Sequence, residues 1–155
     1  MTSDIDIRET DPASSATKTC LTAYFAEIAA AFPNGFDPGP VNAADLQAQC
    51  PPLGSFLIAY QGTQPIGCVA LRGDGSDLAE VKRLWVAPPA RSLGLATRLM
   101  SAVEIRARTL GITRLQLDTS RHLPKAVAFY RRLGWAETTR YNDNPYAHHW
   151  FERQL

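Results

Sequence analysis

The 155-residue chain has few cysteines, almost no net charge and no long apolar run. Its cysteines, Cys20, Cys50 and Cys68, are widely spaced without a Cys-x-x-Cys pair, which argues against a disulfide framework or a zinc site. A net charge of +1 and the lack of a polybasic tract give no reason to expect nucleic acid as a partner. No stretch has the length of a membrane span, and the acidic N-terminus is unlike a secretory signal. We therefore expect a cytoplasmic protein with neither a membrane nor a metal partner.

The composition that remains is typical of a folded domain. Apolar residues make up 45% of the chain and charged residues 20%. A chain of this length is most simply a single domain, which we expect to span residues 1–155.

Apolar periodicity predicts the element order β-α-(α)-β-β-β-α-β-α-β-β. The predicted strands cover 4–9, 55–60, 65–71, 78–86, 114–119, 135–140 and 149–153. The second, third and fourth of these strands are predicted to form an antiparallel meander. The predicted helices cover 15–31, about 43–49, 92–110 and a stretch from Pro124 that Gly134 ends.

The most informative segment is Arg91-Ser-Leu-Gly-Leu-Ala96, which joins a predicted strand to a predicted helix. Backbone N–H groups at such a helix start point to one place, and the helix dipole favours an anion there. Gly94 and Ala96 let a large anion approach the backbone, and Arg91 adds a charged hydrogen-bonding fork. Neither the Walker pattern nor the dinucleotide-binding pattern is present.

This Arg-x-x-Gly-x-Ala segment resembles the pyrophosphate loop of the GNAT superfamily of N-acetyltransferases, Gln/Arg-x-x-Gly-x-Gly/Ala, whose ligand is acetyl-coenzyme A. The stretch 126–135 resembles the second signature of that superfamily. The matching residues there are Ala126, Phe129, Tyr130, Gly134 and Trp135. The element order agrees as well, so the resemblance covers nearly the whole chain.

The resemblance implies an α/β (α+β) GNAT fold: a mixed central sheet of about six to seven strands, flanked by about four helices. The sheet is expected to splay between its fourth strand, 78–86, and its fifth, 114–119, with acetyl-CoA in the gap. The end of the fourth strand would carry a bulge whose backbone pairs with the pantetheine arm. The implied cofactor-binding residues are Leu84, Trp85, Val86, Arg91, Ser92, Leu93, Gly94, Leu95, Ala96, Thr97 and Tyr130.

Two residues are candidates for proton transfer. Period-two alternation predicts Glu80, Lys82 and Leu84 on one face of the fourth strand, with Val81, Arg83 and Trp85 on the other. Facing the gap, Glu80 could take the amine's proton through a water; alternatively it pairs with Lys82 or Arg83, and a water chain serves as the base. The resemblance makes Tyr130 the acid that protonates the leaving thiolate, since its pKa near 10 is not far above that of a thiol. Its alternative role is a core aromatic.

One position departs from the family pattern. Leu123 stands where the family often has an asparagine that caps the helix and contacts the cofactor. Leucine can do neither by its side chain, so Ser120 or Thr119 is expected to take over part of that role.

The resemblance places the acceptor among the first helix pair, the end of the fifth strand and the last hairpin. Aromatic residues beside Asn and Asp suit a small ligand with an ammonium group, although surface loops have a similar composition. His148 and His149 are adjacent and should point to opposite faces, which argues against a shared metal. The candidate acceptor residues are Glu27, Phe32, Phe36, Asp118, Thr119, Tyr141, Asn144 and Tyr146.

The resulting hypothesis is an N-acetyltransferase that moves an acetyl group from acetyl-CoA to a primary amine of a small molecule by direct attack, without a metal. Two alternatives remain: a catalytically silent acyl-CoA-binding sensor, and a protein or peptide N-acetyltransferase. The presence of both Tyr130 and Glu80 favours an enzyme over the sensor. A homodimer formed through the C-terminal strands is also expected.

Overall fold

The computed structural model describes residues 4–155, which form a seven-stranded sheet with four α-helices. The strands are β1 (Ile5–Glu9), β2 (Ser55–Gln61), β3 (Gln64–Gly73), β4 (Leu78–Val86), β5 (Arg114–Thr119), β6 (Ala136–Thr138) and β7 (His149–Gln154). The helices are α1 (Ser15–Ala31), α2 (Ala43–Ala48), α3 (Leu95–Thr109) and α4 (Pro124–Arg132), with a 3-10 turn at Pro88–Ala90 before α3.

Local sequence signals account for most of the element boundaries. Helix α1 begins after Ser14, whose hydroxyl accepts a hydrogen bond from the backbone N–H of Thr17, as an N-cap should. Helix α3 starts three residues later than the sequence predicts. Ser92 and Gly94 both have positive φ angles, +70° and +74°, which interrupt helical geometry until Leu95. The connection before α3 is therefore a distinct loop.

The strand order is β1-β2-β3-β4-β5-β7-β6, and only β4 and β5 run parallel among these pairs. Pairing between β4 and β5 covers three positions, from Leu78 opposite Arg114 to Glu80 opposite Gln116. Both strands continue beyond that point without pairing to each other. The sheet therefore splays between its fourth and fifth strands, which confirms the fold predicted from the sequence.

Helices cover both faces of the sheet and divide the core in two. The larger core lies under α3 and α4 and includes Leu99, Val103 and Leu115, each with no exposed surface. Full burial of one such side chain stabilises the fold by about 1.5–3 kcal/mol. The smaller core lies under α1 and joins Cys20 to residues of β2, β3 and β4. Because Leu115 and Leu117 both face the larger core, their neighbour Asp118 lies on the α1 face.

Strand β4 carries a bulge. Cys68 lies opposite Trp85 and Ala70 lies opposite Lys82. An advance of three residues along β4 therefore matches an advance of two along β3, which leaves one extra residue in β4. Arg83, at the bulge, has a φ of +59°. The extra residue reverses the alternation of side chains, and Trp85 packs in the smaller core, whereas Leu84 packs against the larger one. The predicted grouping of Glu80 with Leu84, and of Val81 with Trp85, is therefore wrong.

None of the helices in residues 4–155 combines the length and the apolar character that crossing a lipid bilayer requires.

Candidate active site

Two cavities, of about 710 and 330 Å3, lie where β4 and β5 separate. Tyr24, Ile28 and Leu123 line both of them, so the cavities adjoin at these three side chains. The larger is called here the first cavity and the smaller the second cavity. Their arrangement brings two separate binding spaces together at one point.

The first cavity is bounded by the end of β4, the loop before α3, the first turn of α3, and α4. The N–H groups of that first turn have no partner inside the helix and are free to bind an anion. Leu93 is not among the lining residues, and its side chain is 58% exposed. The predicted cofactor-binding residues that do line the cavity are Leu84, Trp85, Val86, Arg91, Ser92, Gly94, Leu95, Ala96, Thr97 and Tyr130.

Arg91 ties the loop to α1 and β4. Its guanidinium donates hydrogen bonds to both carboxylate oxygens of Glu27, at 2.6 Å each, and its Nε donates to the carbonyl oxygen of Val86 at 3.0 Å. The indole N–H of Trp85 also donates to Glu27, at 3.2 Å. Both charged side chains are nearly half exposed, so the pair contributes at most about 1 kcal/mol to stability. Its main effect is to fix the position of the loop.

This arrangement changes the roles predicted for both residues. Glu27, predicted to contact the acceptor, lines the first cavity and not the second. The guanidinium fork of Arg91, predicted to face an anion, is taken up by Glu27 and Val86.

Tyr130 combines a core position with access to the first cavity. It is 8% exposed and packs against Trp135 and Phe151 at centroid distances of 6.1 and 6.0 Å. Burial raises the pKa of Tyr130 above its ordinary value near 10, and nearby Tyr24 and Asp118 add to the shift. The phenol therefore keeps its proton at neutral pH, as a proton donor must.

Helix α4, which carries Tyr130, begins without a side-chain cap. Leu123 occupies the N-cap position, and Pro124 follows at N1, where its missing N–H leaves one fewer donor to satisfy. Ser120 does not replace the cap, because its hydroxyl accepts from the backbone N–H of His122 and faces His148. Thr119 makes no capping bond either. The prediction that Ser120 or Thr119 takes over the capping role of the missing asparagine is therefore wrong.

One wall of the second cavity is aromatic. The ring of Phe36 lies 4.7 Å from that of Tyr146 and 5.8 Å from that of Phe32, measured between centroids. The backbone N–H of Asp37 donates to the hydroxyl oxygen of Tyr146 at 3.1 Å. This bond joins the loop after α1 to the segment before β7 and closes that side of the cavity.

Besides Asp37, the carboxylates of Glu80 and Asp118 line the second cavity. The hydroxyl of Tyr141 donates to Glu80 at 2.6 Å, and the pKa of Tyr141 is raised by burial and by the charge of Glu80. The side-chain amides of Asn142 and Asn144 donate to Asp118 at 2.6 and 3.2 Å. Hydrogen bonds thus fix both carboxylates in orientation, and Glu80 also lies 3.8 Å from Arg72 and 3.9 Å from Lys82, the pairing with Lys82 being the alternative that the sequence offered.

The sequence located most of the second cavity. Of the predicted acceptor residues, Tyr141 adjoins the cavity through Glu80, which lines it. The predicted residues that line it directly are Phe32, Phe36, Asp118, Thr119, Asn144 and Tyr146.

Sequence reasoning missed Tyr24, Arg72, Arg83 and Asn142, all of which line the second cavity. Tyr24 could have been found, because it lies four residues before Ile28 and so on the same face of α1. Arg83 could not, because its direction depends on the bulge.

The adjacent residues His148 and His149 contact different neighbours. Nδ1 of His148 accepts a hydrogen bond from the backbone N–H of Arg121, and desolvation lowers the pKa of His148. Nδ1 of His149 lies 3.7 Å from Glu137. Over residues 4–155, the structure has no cluster of three or more His, Cys, Asp or Glu side chains suited to a metal ion.

Residues 21–135 match the model of the acetyltransferase (GNAT) family. The chain is 35% identical over 94 residues to "IAA acetyltransferase" of Azospirillum brasilense, covering 60% of this chain and 61% of that protein. It is 37% identical over 98 residues to "Uncharacterized N-acetyltransferase C1271.07c" of Schizosaccharomyces pombe, covering 61% and 60%. The match therefore spans about three fifths of these curated relatives.

Solved structures share the fold over almost the whole chain. A GNAT-family acetyltransferase of Staphylococcus aureus superposes with a TM-score of 0.78 at 19% identity, covering 98% of this chain and 99% of that one. N-acetylglutamate synthase of Neisseria gonorrhoeae, complexed with coenzyme A and L-arginine, gives 0.72 at 18% identity, covering 99% and 34%. Arabidopsis thaliana Naa50, in complex with the bisubstrate analogue CoA-Ac-MVNAL, gives 0.69 at 14% identity, covering 97% and 99%.

Proposed function

Since the chain belongs to the acetyltransferase (GNAT) family, we propose that it transfers an acetyl group from acetyl-CoA to the primary amine of a small molecule. The observation that carries the proposal is the pair of cavities that adjoin at Tyr24, Ile28 and Leu123. One has an anion-binding helix start, and the other has carboxylates suited to an ammonium group. An acyl donor and an amine bound in them would meet at their junction.

The first cavity fits coenzyme A. The loop before α3 and the free N–H groups of Leu95, Ala96 and Thr97 would hold the pyrophosphate. A side chain at Gly94 would have open space, with nothing within 4 Å of a Cβ placed there, so a large anion can approach the backbone. The end of β4, from Leu84 to Val86, would hold the pantetheine arm. When bound, acetyl-CoA supplies the acetyl group as an activated thioester.

The second cavity would deprotonate and orient the amine. Glu80 takes a proton from the ammonium group at its carboxylate through one water, and Asp118 attracts the same cation. Tyr130 carries its phenol proton at neutral pH and donates it to the leaving sulfur; the raised pKa makes it a weaker acid than a free tyrosine, so its position beside the sulfur must promote the transfer. Holding both reactants at the junction supplies the proximity that a direct transfer needs.

The closed side of the second cavity favours a small acceptor. The bond between Asp37 and Tyr146 joins the loop after α1 to the segment before β7 at the edge of this cavity. A volume of about 330 Å3 suits a metabolite-sized ligand. N-acetylglutamate synthase, whose name describes the acetylation of an amino acid, is consistent with such an acceptor, whereas Naa50 with its CoA-Ac-MVNAL analogue represents the peptide alternative.

Calorimetric titration with acetyl-CoA tests the proposal. We expect one site per chain, and no acetyl adduct on the protein when its intact mass is measured after incubation with acetyl-CoA alone. The absence of binding would refute the proposed function. An acetylated side chain that passes its acetyl group to an amine would refute direct transfer.

A further inference from the structure

We propose that the acceptor carries a carboxylate that Arg83 binds, so that the second cavity takes a free amino acid. The inference rests on the proposed acetyl transfer, because it names the acceptor class for the same site. Four observations support it: the remaining N–H donors of the Arg83 guanidinium, the two carboxylates that three cations share beside it, the strained backbone that directs it, and a carboxylate elsewhere in the cavity that has no cation partner.

The Arg83 side chain is only 19% exposed, yet its guanidinium has little to bind. Its one ion contact among residues 4–155 is with Asp45, at 3.5 Å, and its guanidinium donates no hydrogen bond to any of them. A guanidinium has five N–H donors in a planar fork that matches a carboxylate. No Arg83 nitrogen is both buried and unpaired, so its remaining N–H donors are accessible to a carboxylate bound in the second cavity, which Arg83 lines.

The carboxylates around Arg83 also have other partners. Asp45 already accepts from Nε of Arg72 at 2.8 Å and from the side-chain amide of Gln49 at 3.1 Å. Glu80 lies 3.8 Å from Arg72 and 3.9 Å from Lys82. At ion-contact distance Arg72, Lys82 and Arg83 therefore share two carboxylates, Asp45 and Glu80, while Asp37 and Asp118 line the same cavity without an ion contact to these cations.

The backbone at Arg83 is strained in a way that directs its side chain. A φ of +59° costs a non-glycine residue about 1–2 kcal/mol. The bulge at this residue turns the guanidinium to the α1 face of the sheet, where it lies 5.8 Å from the ring centroid of Phe25 and lines the second cavity. Strain of this kind concentrates at functional sites, where side-chain direction matters more than stability.

The second cavity also contains the carboxylate of Asp118. Asp118 has no ion pair with any residue of 4–155, and the amides of Asn142 and Asn144 hold its carboxylate in place. The phenol of Tyr24 lies within the influence of both charged groups: after burial, the Arg83 charge lowers its pKa and the Asp118 charge raises it. A zwitterion can therefore place its carboxylate at Arg83 and its ammonium at Asp118, beside the junction with the first cavity. Its side chain then faces the aromatic wall.

Matched acceptor pairs test this assignment. Thiol release from acetyl-CoA is measured with each proteinogenic L-amino acid and with the amine left after its decarboxylation. Even one charge-assisted hydrogen bond predicts that the best amino acid has a kcat/KM about 10- to 150-fold above that of its amine. The variant Arg83→Gln should reduce that ratio to nearly one, because it lowers the value for the amino acid far more than the value for the amine.

The control variant is Arg108→Gln, an exposed arginine at the end of α3 that lines neither cavity. It should leave the ratio unchanged. A second variant, Arg83→Gly, guards against misfolding, because glycine adopts the positive φ without strain. Like Arg83→Gln, this variant should reduce the ratio of the kcat/KM values for the amino acid and its amine to nearly one.

Several outcomes would overturn the inference while leaving the proposed function intact: amines that match or exceed their amino acids, a ratio that survives Arg83→Gln, or turnover only of a peptide in the same assay. Binding of acetyl-CoA without turnover of any pair would also overturn it, since no amino acid is then an acceptor. Failure to bind acetyl-CoA at all would remove the proposed function itself.

Discussion

A single charge placed at Gly94 should weaken the binding of acetyl-CoA. Gly94 precedes α3 with a φ of +74°, and a Cβ built on it meets no atom within 4 Å. A new side chain there causes no collision and changes only the local backbone strain and, for aspartate, the charge. Gly94→Asp and Gly94→Asn differ in charge at nearly the same shape, and asparagine tolerates positive φ. The comparison of the two variants therefore isolates electrostatics.

The size of the effect follows from Coulomb's law. A carboxylate roughly 6 Å from one phosphate charge costs about 0.7 kcal/mol at a dielectric constant of 80 and about 2.8 kcal/mol at 20. The Kd of Gly94→Asp should therefore exceed that of Gly94→Asn by about 3- to 100-fold. Because the loop is open to solvent, added salt should shrink the difference.

Calorimetry at two salt concentrations measures both effects. Gly111→Asp is the matched control: Gly111 follows the other end of α3, has a φ of +81° and equally open surroundings, and lies outside the first cavity. It shares the backbone strain and should leave the Kd unchanged. Equal Kd values for the aspartate and asparagine variants at position 94 would refute the placement of the pyrophosphate at this loop.

Three further predictions concern the reaction and the acceptor. Tyr130→Phe should lower kcat about 100-fold with little change in the Kd of acetyl-CoA, and wild-type kcat should not fall until the pH exceeds 10, because only the protonated phenol is active and its pKa is raised; full activity of the variant would exclude it as the acid. Glu80→Gln should lower kcat with little change in the Kd of acetyl-CoA, and an unchanged kcat would point to a water chain or another base. Tyr146→Phe removes the hydroxyl that accepts from Asp37 and should raise the acceptor KM several-fold at constant kcat, whereas an unchanged KM would separate this loop from binding.

Helix and strand positions could be predicted because the apolar periodicity agrees with the final packing. Leu115 and Leu117 alternate along β5, and both are buried in the larger core, as the sequence predicts. The start of α3 could not be placed, because Ser92 adopts a positive φ that nothing in its residue type demands. Position and type of an element follow from local pattern, but its first turn depends on loop geometry.

The candidate site also has parts that could be predicted from the sequence and parts that could not. The family resemblance placed the acceptor at the last hairpin, and Tyr146 and Asn144 of that segment do line the second cavity. The partners of Glu27 were not predictable, since its pairing with Arg91 joins residues that are 64 positions apart. The direction of Arg83 depends on an extra residue in β4; the resemblance led us to expect a bulge at the end of this strand, but only the pairing with β3 places it at Arg83. Long-range contacts and bulges are the parts that a single sequence does not encode locally.

Thiol release from acetyl-CoA by the wild-type chain, measured across a panel of amines, amino acids, polyamines, aminoglycosides and peptides, tests the central claim most directly. The account predicts release that depends on the presence of an amine, with one acetylated product formed for each thiol released. Release no faster than uncatalysed hydrolysis with every acceptor, together with no binding of acetyl-CoA, would contradict it.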